Sequence, residues 1–258
     1  MTVRTTGTLP DFRLDGRTAL VTGASSGFGA HFARVLASAG ANVVLAARRI
    51  DRLAEVADGI ARAGGACSTV ALDVADAASV AAIGPVLATV DVLVNNAGIT
   101  TQGPALDRDE ADWDAVLDTN LKGMFLMARA ACRAMRERGT GGAIVNIASI
   151  TGLRQAGGML PYAVSKSGAI QLTKVLALEV ARYGIRVNAL APGYFETDLN
   201  AHFWQTDQGK AMLKRIPQRR LGRLEDLDAP LLLLVSDAGA YMTGTVLTVD
   251  GGHMVSTL

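Results

Sequence analysis

Short apolar runs alternate along this chain with longer stretches whose apolar positions recur every three or four residues. The runs at 18–22, 42–46, 67–73, 92–95, 143–149, 186–191 and 245–249 read as seven buried strands. Amphipathic helices lie between them. One runs from about residue 28 to 39 and is closed by Gly40, and another passes through Arg62 to end at Gly64 and Gly65. The best defined spans 161–183, with Pro161 in its first turn and Gly184 just past its end. Near-continuous apolar strands joined by helices imply an α/β fold, a doubly wound parallel sheet covered on both faces.

The rhythm breaks once. Residues 194–220 form a long connection in which apolar side chains, among them Phe203, Trp204 and Met212, are scattered through polar ones. Long connections in compact domains tend to be functional, and this one reads as a lid over an apolar substrate. No repeat, low-complexity tract or linker divides the chain, so 1–258 reads as a single domain with an N-terminal extension at 1–14.

Composition narrows the choice of partners. Half of the 258 residues are hydrophobic, only 5% are aromatic and 28 are glycine, which suits helices packed closely on strands. A net charge of +1 offers no footprint for nucleic acid or an anionic membrane. Residues 1–16 hold no apolar core of a secretory signal, and the apolar run 231–235 is too short to cross a bilayer. Cys67 and Cys132 are too few for a disulfide scaffold and sit among apolar residues, so buried reduced thiols and a cytoplasmic location are expected. The three histidines stand far apart without metal-ligand spacing, and no metal site is expected.

Candidate chemistry begins just after the first strand. Gly23-Ala24-Ser25-Ser26-Gly27 fits G-x-S-x-G, the nucleophile elbow of serine hydrolases. Thr22 to Gly29 also fits T-G-x-x-x-G-x-G, a loop that cradles dinucleotide phosphates. An elbow would need His253 with Asp226 or Asp228 as partners, and no His-Gly-Gly oxyanion segment precedes it. A cradle needs less: Gly23 for the tight turn, Gly27 for close approach to the pyrophosphate, and Gly29 for close packing of helix on strand. The helix starting near Phe28 would then aim its free N–H groups and positive dipole end at the phosphates. Ser25, Ser26 and Phe28 join the three glycines as cofactor-binding candidates.

The rest of the chain decides between the two. Tyr162 and Lys166 stand four apart on the 161–183 helix, hence on one face, and Ser149 lies thirteen residues before the tyrosine. Chance supplies a Tyr–Lys pair at this spacing roughly 0.08 times in such a composition, which argues against a half-buried aromatic with an incidental lysine. A free tyrosine has a pKa of about 10, and about 4 kcal/mol of selective anion stabilisation would bring it to neutrality. One ammonium about 4 Å away supplies about that much at an effective dielectric of about 20. Lys166 is therefore the residue type that a tyrosine acid/base needs at this spacing.

The motifs Thr22-Gly23-x-x-x-Gly27-x-Gly29, Leu72-Asp73-Val74, Asn95-Asn96-Ala97-Gly98 and Tyr162-x-x-x-Lys166 occur together with Asn120, Ser149, Pro192-Gly193 and Val249-Asp250-Gly251-Gly252. From Asp15 to Gly252 the chain thereby resembles the short-chain dehydrogenase/reductase superfamily, in its compact single-domain branch. The resemblance implies a Rossmann-type fold and hydride transfer between a nicotinamide cofactor and a ketone or secondary alcohol. Carried onto these positions, it makes Tyr162 the acid/base for the substrate oxygen and Ser149 the group that hydrogen-bonds that oxygen. Lys166 would bond the nicotinamide ribose, and Asn120 would position a water for a proton relay. Asp73 and the Val74 backbone would bind the adenine, with Asn95, Ala97 and Gly98 along the adenine-ribose side. Thr197 would reach the carboxamide and Ile147 or Pro192 would back the ring, with Gly193 and Phe195 in the same stretch. A homotetramer is implied as well.

Cofactor choice rests on Ala47-Arg48-Arg49. An acidic residue at the end of the second strand normally binds the ribose 2′-hydroxyl of NAD. Ala47 leaves nothing there to repel a 2′-phosphate, and Arg48, helped by the Ser25 hydroxyl, is suited to bind one, so NADP(H) is expected over NAD(H). Three other activities compete. Sugar-nucleotide epimerases share the Tyr–Lys pair but usually carry T-G-x-x-G-x-x-G and a larger C-terminal domain. A non-catalytic dinucleotide sensor would have no use for all four catalytic positions. For a 3-oxoacyl-thioester reductase, Arg129, Arg133 and Arg136 at helical spacing could meet an acidic acyl carrier, although a solvated or subunit-facing helix surface is the favoured account of them.

Overall fold

The computed structural model describes residues 11–196 and 201–255. The seven apolar runs become strands β1 Thr18–Thr22, β2 Asn42–Ala47, β3 Cys67–Ala71, β4 Val92–Asn95, β5 Gly142–Ile147, β6 Ile185–Pro192 and β7 Val246–Val249. The helices are α1 Gly27–Ser38, α2 Ile50–Arg62, α3 Ala77–Ala82, α4 Gly84–Leu87, α5 Glu110–Leu117, α6 Gly123–Arg138 and α7 Leu160–Val180. Three more follow, α8 Ala201–Gln205, α9 Asp207–Leu213 and α10 Asp228–Val235.

All neighbouring strands pair in parallel, in the order β3-β2-β1-β4-β5-β6-β7. The chain winds outward from β1 to β3, returns to lay β4 on the other side of β1, and winds outward again to β7. Strand direction is thus constant while winding direction reverses between β1 and β4. In open α/β sheets that reversal opens a crevice beyond the carboxyl ends of the strands.

The pleat sorts the core. Ala19, Val21, Val43, Leu45, Val92, Val94 and Val145 face one side, where Phe32 and Leu36 of α1, Leu53 and Ile60 of α2, and Leu231 and Leu234 of α10 cover them. Leu20, Val44, Leu93 and Ile144 alternate to the other side, under Val80 of α3, Leu126, Met127 and Met135 of α6, and Ala177 and Val180 of α7. This is the two-faced burial that the apolar runs predicted.

β3 departs from it. At the sheet's edge its residues are only partly buried or exposed, because it has a neighbour on one side alone. Cys67, on this strand, is half-buried, whereas Cys132 is buried as expected and its thiol is pushed up to about 11 by desolvation. Both thiols are free. The strands predicted to reach 73 and 149 stop at Ala71 and Ile147, so the residues beyond them leave the sheet and turn toward the crevice. α7 starts one residue before Pro161 and tightens at Ala181–Tyr183 into a 3-10 turn that Gly184 closes in the left-handed conformation. The 194–220 connection contains α8 and α9, two short helices whose polar-rich sequence gives no clear period. No helix among the described residues is long and apolar enough to cross a membrane.

Candidate active site

Beyond the carboxyl ends of the strands lies an open cleft of about 2280 Å³. Pockets for drug-sized ligands occupy roughly 300–1,000 Å³, so this one has room for a dinucleotide and a substrate together. Its walls are the segments that leave each strand: residues 23–28 after β1, Arg48 and Arg49 after β2, Asp73 and Val74 after β3, and 96–99 after β4. Ser149 and Thr151 follow β5, and residues 193–195 follow β6.

At the β1 end the glycine loop fits a pyrophosphate. α1 begins at Gly27, its N-cap Ser26 makes no side-chain cap, and its first turn carries no acidic residue, which leaves backbone N–H groups for an anion. Gly27 has φ +54, and a Cβ there would have nothing within 4 Å, so that side of the loop is open space. Gly29 sits behind the loop. A Cβ on it would collide with the Gly23 carbonyl oxygen, so its part is to let helix and loop pack rather than to line the cleft. Phe28 does line it and meets Phe195 edge to face at 5.5 Å, joining the loop to the end of β6. Thr22 Oγ1 accepts from the backbone N–H groups of Asn96 (2.9 Å) and Ala97 (3.0 Å), which holds the β4 loop beside the β1 loop.

One cofactor-side expectation needs correction. Asn95 does not line the cleft; as the last residue of β4 its side chain follows the pleat into the core. There Nδ2 donates to the Met124 carbonyl (3.2 Å) and to Asn146 Oδ1 (3.1 Å), and Asn146 Nδ2 donates to Thr173 Oγ1 (2.9 Å). The next residue, Asn96, takes the place at the cleft. At the same end of the cleft, Arg49 Nη2 donates to Ser25 Oγ (3.0 Å) and Ser26 Oγ (3.2 Å), while Arg48 Nη1 lies 3.9 Å from Asp73 Oδ2. Both arginines line the cleft, but β2 ends at Ala47 and no strand alternation tells from sequence which of them turns to the loop.

These contacts also close the hydrolase reading. Ser25 has an arginine as its partner, Asp226 is bound by Arg220 (2.5 Å), and Asp228 by His31 (2.6 Å). His253 lies at the cleft beside Tyr194, its ring centroid 5.5 Å from the tyrosine's.

The tyrosine, serine and lysine come together on the cleft floor. Ser149, two residues past the end of β5, is the N-cap of a 3-10 turn, Ile150–Gly152, and its Oγ accepts from the Thr151 backbone N–H (3.2 Å) and hydroxyl (2.9 Å). Ser167 Oγ donates to the Gly152 carbonyl (3.0 Å), which holds this turn on α7. Tyr162 stands beside Ser149, whose hydroxyl favours the phenolate. Lys166 is 3% exposed, and its Nζ donates to the Ile147 carbonyl (2.6 Å) and lies 5.5 Å from the centre of the Tyr162 ring.

The electrostatic balance differs from the one expected of the pair alone. Burial raises the Tyr162 pKa above its ordinary value, the Ser149 hydroxyl pulls it back, and the nearby Tyr194 phenol raises it further. Burial lowers Lys166 to about 8. Desolvation therefore outweighs the ammonium's attraction, and the phenol is held protonated while the lysine is still mostly charged at neutral pH.

Asn120 lies behind the wall rather than at the cleft. It is fully buried in a π-helical turn, Asp118–Lys122, between α5 and α6. Its Oδ1 accepts from the Ile99 N–H (2.8 Å), and Nδ2 donates to the Ile99 carbonyl (2.9 Å) and Ser165 Oγ (3.1 Å). The amide thus pins the β4 loop to α7 at Ser165, between Tyr162 and Lys166. Pro192, Gly193, Phe195 and Ile147 line the cleft, and Thr197 lies outside the described residues. Arg129, Arg133 and Arg136 are not at the cleft; Arg129 stacks over Phe125 and Arg136 over Tyr183 on the outside of α6. Tyr194, Arg154 and Arg215, which the sequence did not single out, also line it, as do Trp204 of the 194–220 connection and His253. The described residues contain no group of three histidine, cysteine or acidic side chains able to hold a metal.

Comparison with known proteins agrees with this geometry. A family model described as Enoyl-(Acyl carrier protein) reductase matches residues 23–254. A D-threitol dehydrogenase of Mycolicibacterium smegmatis is 40% identical over 253 residues, covering 95% of either chain. A gluconate 5-dehydrogenase from Burkholderia cenocepacia, solved in complex with NADP and tartrate, superposes with a TM-score of 0.91 at 38% identity, covering 96% of this chain and 98% of that one. A short-chain type dehydrogenase/reductase from Mycobacterium marinum superposes with a TM-score of 0.88 at 39% identity, covering 94% and 97%. The chain belongs to the short-chain dehydrogenase/reductase family and is an NAD(P)-dependent oxidoreductase acting between CH–OH and C=O groups.

Proposed function

We propose that this enzyme interconverts a ketone and a secondary alcohol with NADP(H), using Tyr162 as the proton-transferring group. The observation that carries this reading is the convergence of Tyr162 and Ser149 beside the buried Lys166 ammonium on the cleft floor. The nicotinamide, when bound, supplies or accepts the hydride. Ser149 orients the substrate oxygen, and Tyr162 gives that oxygen a proton in reduction or takes one in oxidation. Lys166 holds positive charge near the phenol and bonds the nicotinamide ribose. Asn120 acts as a positioning residue through Ile99 and Ser165. The loop 23–28 receives the pyrophosphate, while Asp73, Val74, Ala97 and Gly98 border the adenosine. Residues 194–220 form the lid, and Phe203, Trp204 and Met212 give the substrate an apolar wall.

NADP(H) is favoured because two arginines and two serine hydroxyls gather where a 2′-phosphate would sit, and no acidic residue follows β2 directly. A turnover screen across ketones, secondary alcohols and 3-oxoacyl thioesters with both cofactors tests the activity and the preference together. We expect kcat/KM for NADPH to exceed that for NADH by about tenfold or more, the worth of one charge-assisted contact. Ala47→Asp combined with Arg48→Ile should reverse the order through charge repulsion. A wild type that prefers NADH would overturn the assignment. A 3-oxoacyl-thioester reductase is the second reading, favoured by the acyl-carrier description of the matching family model. Higher kcat/KM for the thioester than for any free ketone would replace the first reading with it.

The assembly that fits is a homotetramer. Phe125 of α6 and Val164, Val175 and Leu178 of α7 are exposed, and Leu178 is 83% accessible, which favours helix faces covered by other subunits. Light scattering should give four times the 26.8 kDa chain mass at micromolar concentration; a monomer would refute it. Two free thiols suit the reducing cytoplasm.

A further inference from the structure

The substrate end of the cleft is built from three separate parts of the chain. Tyr194, just past β6, packs edge to face against Trp204 of α8 (5.5 Å, 73°) and against His253 of the C-terminal 3-10 turn (5.5 Å, 80°). Three rings with polar tips are thus held against one another. Tyr194 lies close enough to Tyr162 to raise its pKa, so this aromatic corner adjoins the reacting group.

Arg215, after α9, lines the same corner. Burial raises the Tyr194 phenol and Arg215 pulls it back; burial and Arg154 lower His253, the nearby Asp250 carboxylate opposes them, and Arg215 lowers it further. The guanidinium therefore stands near both rings. Four other arginines at the cleft are engaged, Arg49 with Ser25 and Ser26, Arg48 near Asp73, Arg52 with Glu55 and Arg154 with the His253 carbonyl (2.7 Å), while Arg219 lines the cleft without a side-chain partner among the described residues. Arg215 is exposed, and its side chain has no hydrogen-bond or ion-pair partner among the described residues. Asp73, at the adenosine side, is the only acidic residue among the described residues that line the cleft.

We infer that Arg215, with Tyr194 and His253 beside it, recognises a substrate carboxylate, so that the preferred substrate is an oxo or hydroxy acid. This rests on the oxidoreductase reading and narrows it. A planar guanidinium matches a carboxylate in charge and in donor geometry. The aromatic corner and the apolar lid residues would hold the carbon chain while the charged end fixes which carbon reaches Tyr162. Arg215 is then a specificity-determining residue outside the proton-transfer group.

Two measurements test it. Calorimetric titration of the NADP-loaded enzyme should show tartrate binding at least about tenfold tighter than threitol, which has the same carbon skeleton without the carboxylates. Arg215→Gln should remove that advantage and Arg215→Lys should keep part of it. In steady state, the ratio of kcat/KM for gluconate to that for its primary amide should fall toward one in Arg215→Gln, with the change carried by KM. Equal binding of tartrate and threitol by the wild type, or an unchanged ratio in Arg215→Gln, would overturn the inference. Carboxylate-selective binding without turnover of any alcohol would instead sink the oxidoreductase reading and leave the anion pocket standing.

Discussion

Tyr162→Phe is expected to lower kcat for ketone reduction by about 10²–10⁴-fold, the contribution of a positioned general acid. The ring remains, so packing on the cleft floor and cofactor affinity should change no more than a few-fold. Ser149 retains its two bonds from Thr151, which keeps the turn after β5 in place. The loss should therefore fall on turnover rather than on binding, as single-turnover kinetics with saturating cofactor would show. Burial holds the phenol protonated, which suits it to donate in reduction. Oxidation needs the phenolate, so its rate in the wild type should rise with pH below the phenol's pKa. The Tyr162→Phe variant should lose that slope. Wild-type rates in the variant would remove Tyr162 from the mechanism.

Lys166→Met should cost activity and change stability in a pH-dependent way. Activity should fall by about 10²-fold or more, because the charge near the phenol is lost and a ligand of the ribose with it. Stability moves for a different reason. The folded pKa of about 8 lies below the ordinary value of 10.5, so between these limits the unfolded chain binds more protons. Wild-type stability carried by this group is fully present above about 10.5 and is lost as pH falls through about 8. That difference corresponds to about 3 kcal/mol, against which the lost bond to the Ile147 carbonyl counts about 1–3 kcal/mol. Relative to wild type, the Met variant should thus be more stable at pH 7 than at pH 10. Denaturant titrations at both pH values measure the difference. A stability difference that does not shrink with rising pH would mean that Lys166 is not charged and buried as described.

Much of the fold was legible because burial on both faces makes a strand apolar throughout, and all seven strands stand where such runs occur. β3 shows the limit of that signal, since its residues carry strand propensity without full burial and nothing local marks an edge. The Tyr162–Lys166–Ser149 constellation was legible from spacing, because helical periodicity fixes the first pair and the motif fixes the third. Asn95 and Asn96 were not separable, since a shift of one residue on a strand exchanges core for cleft and the motif spans both. The direction of the tyrosine's shift was hidden for another reason: desolvation depends on how deeply α7 sits, which no pair distance reports. Tyr194, Trp204 and His253 meet only because the end of β6, α8 and the C-terminal turn converge, and no periodicity links residues so far apart.

The amide ladder from Asn95 through Asn146 to Thr173 has a consequence for how this protein can change. It ties β4, β5 and α7 together directly beneath the proton-transferring residues, so any sliding of one element against another would break buried hydrogen bonds in succession. Among the described residues, no hydrogen bond joins α8 or α9 to this ladder. Altered selectivity can therefore arise by exchanging surface segments, while the reaction centre tolerates almost no drift. In such a molecule, substrate range and reaction chemistry diverge at different speeds because they are anchored with different stiffness.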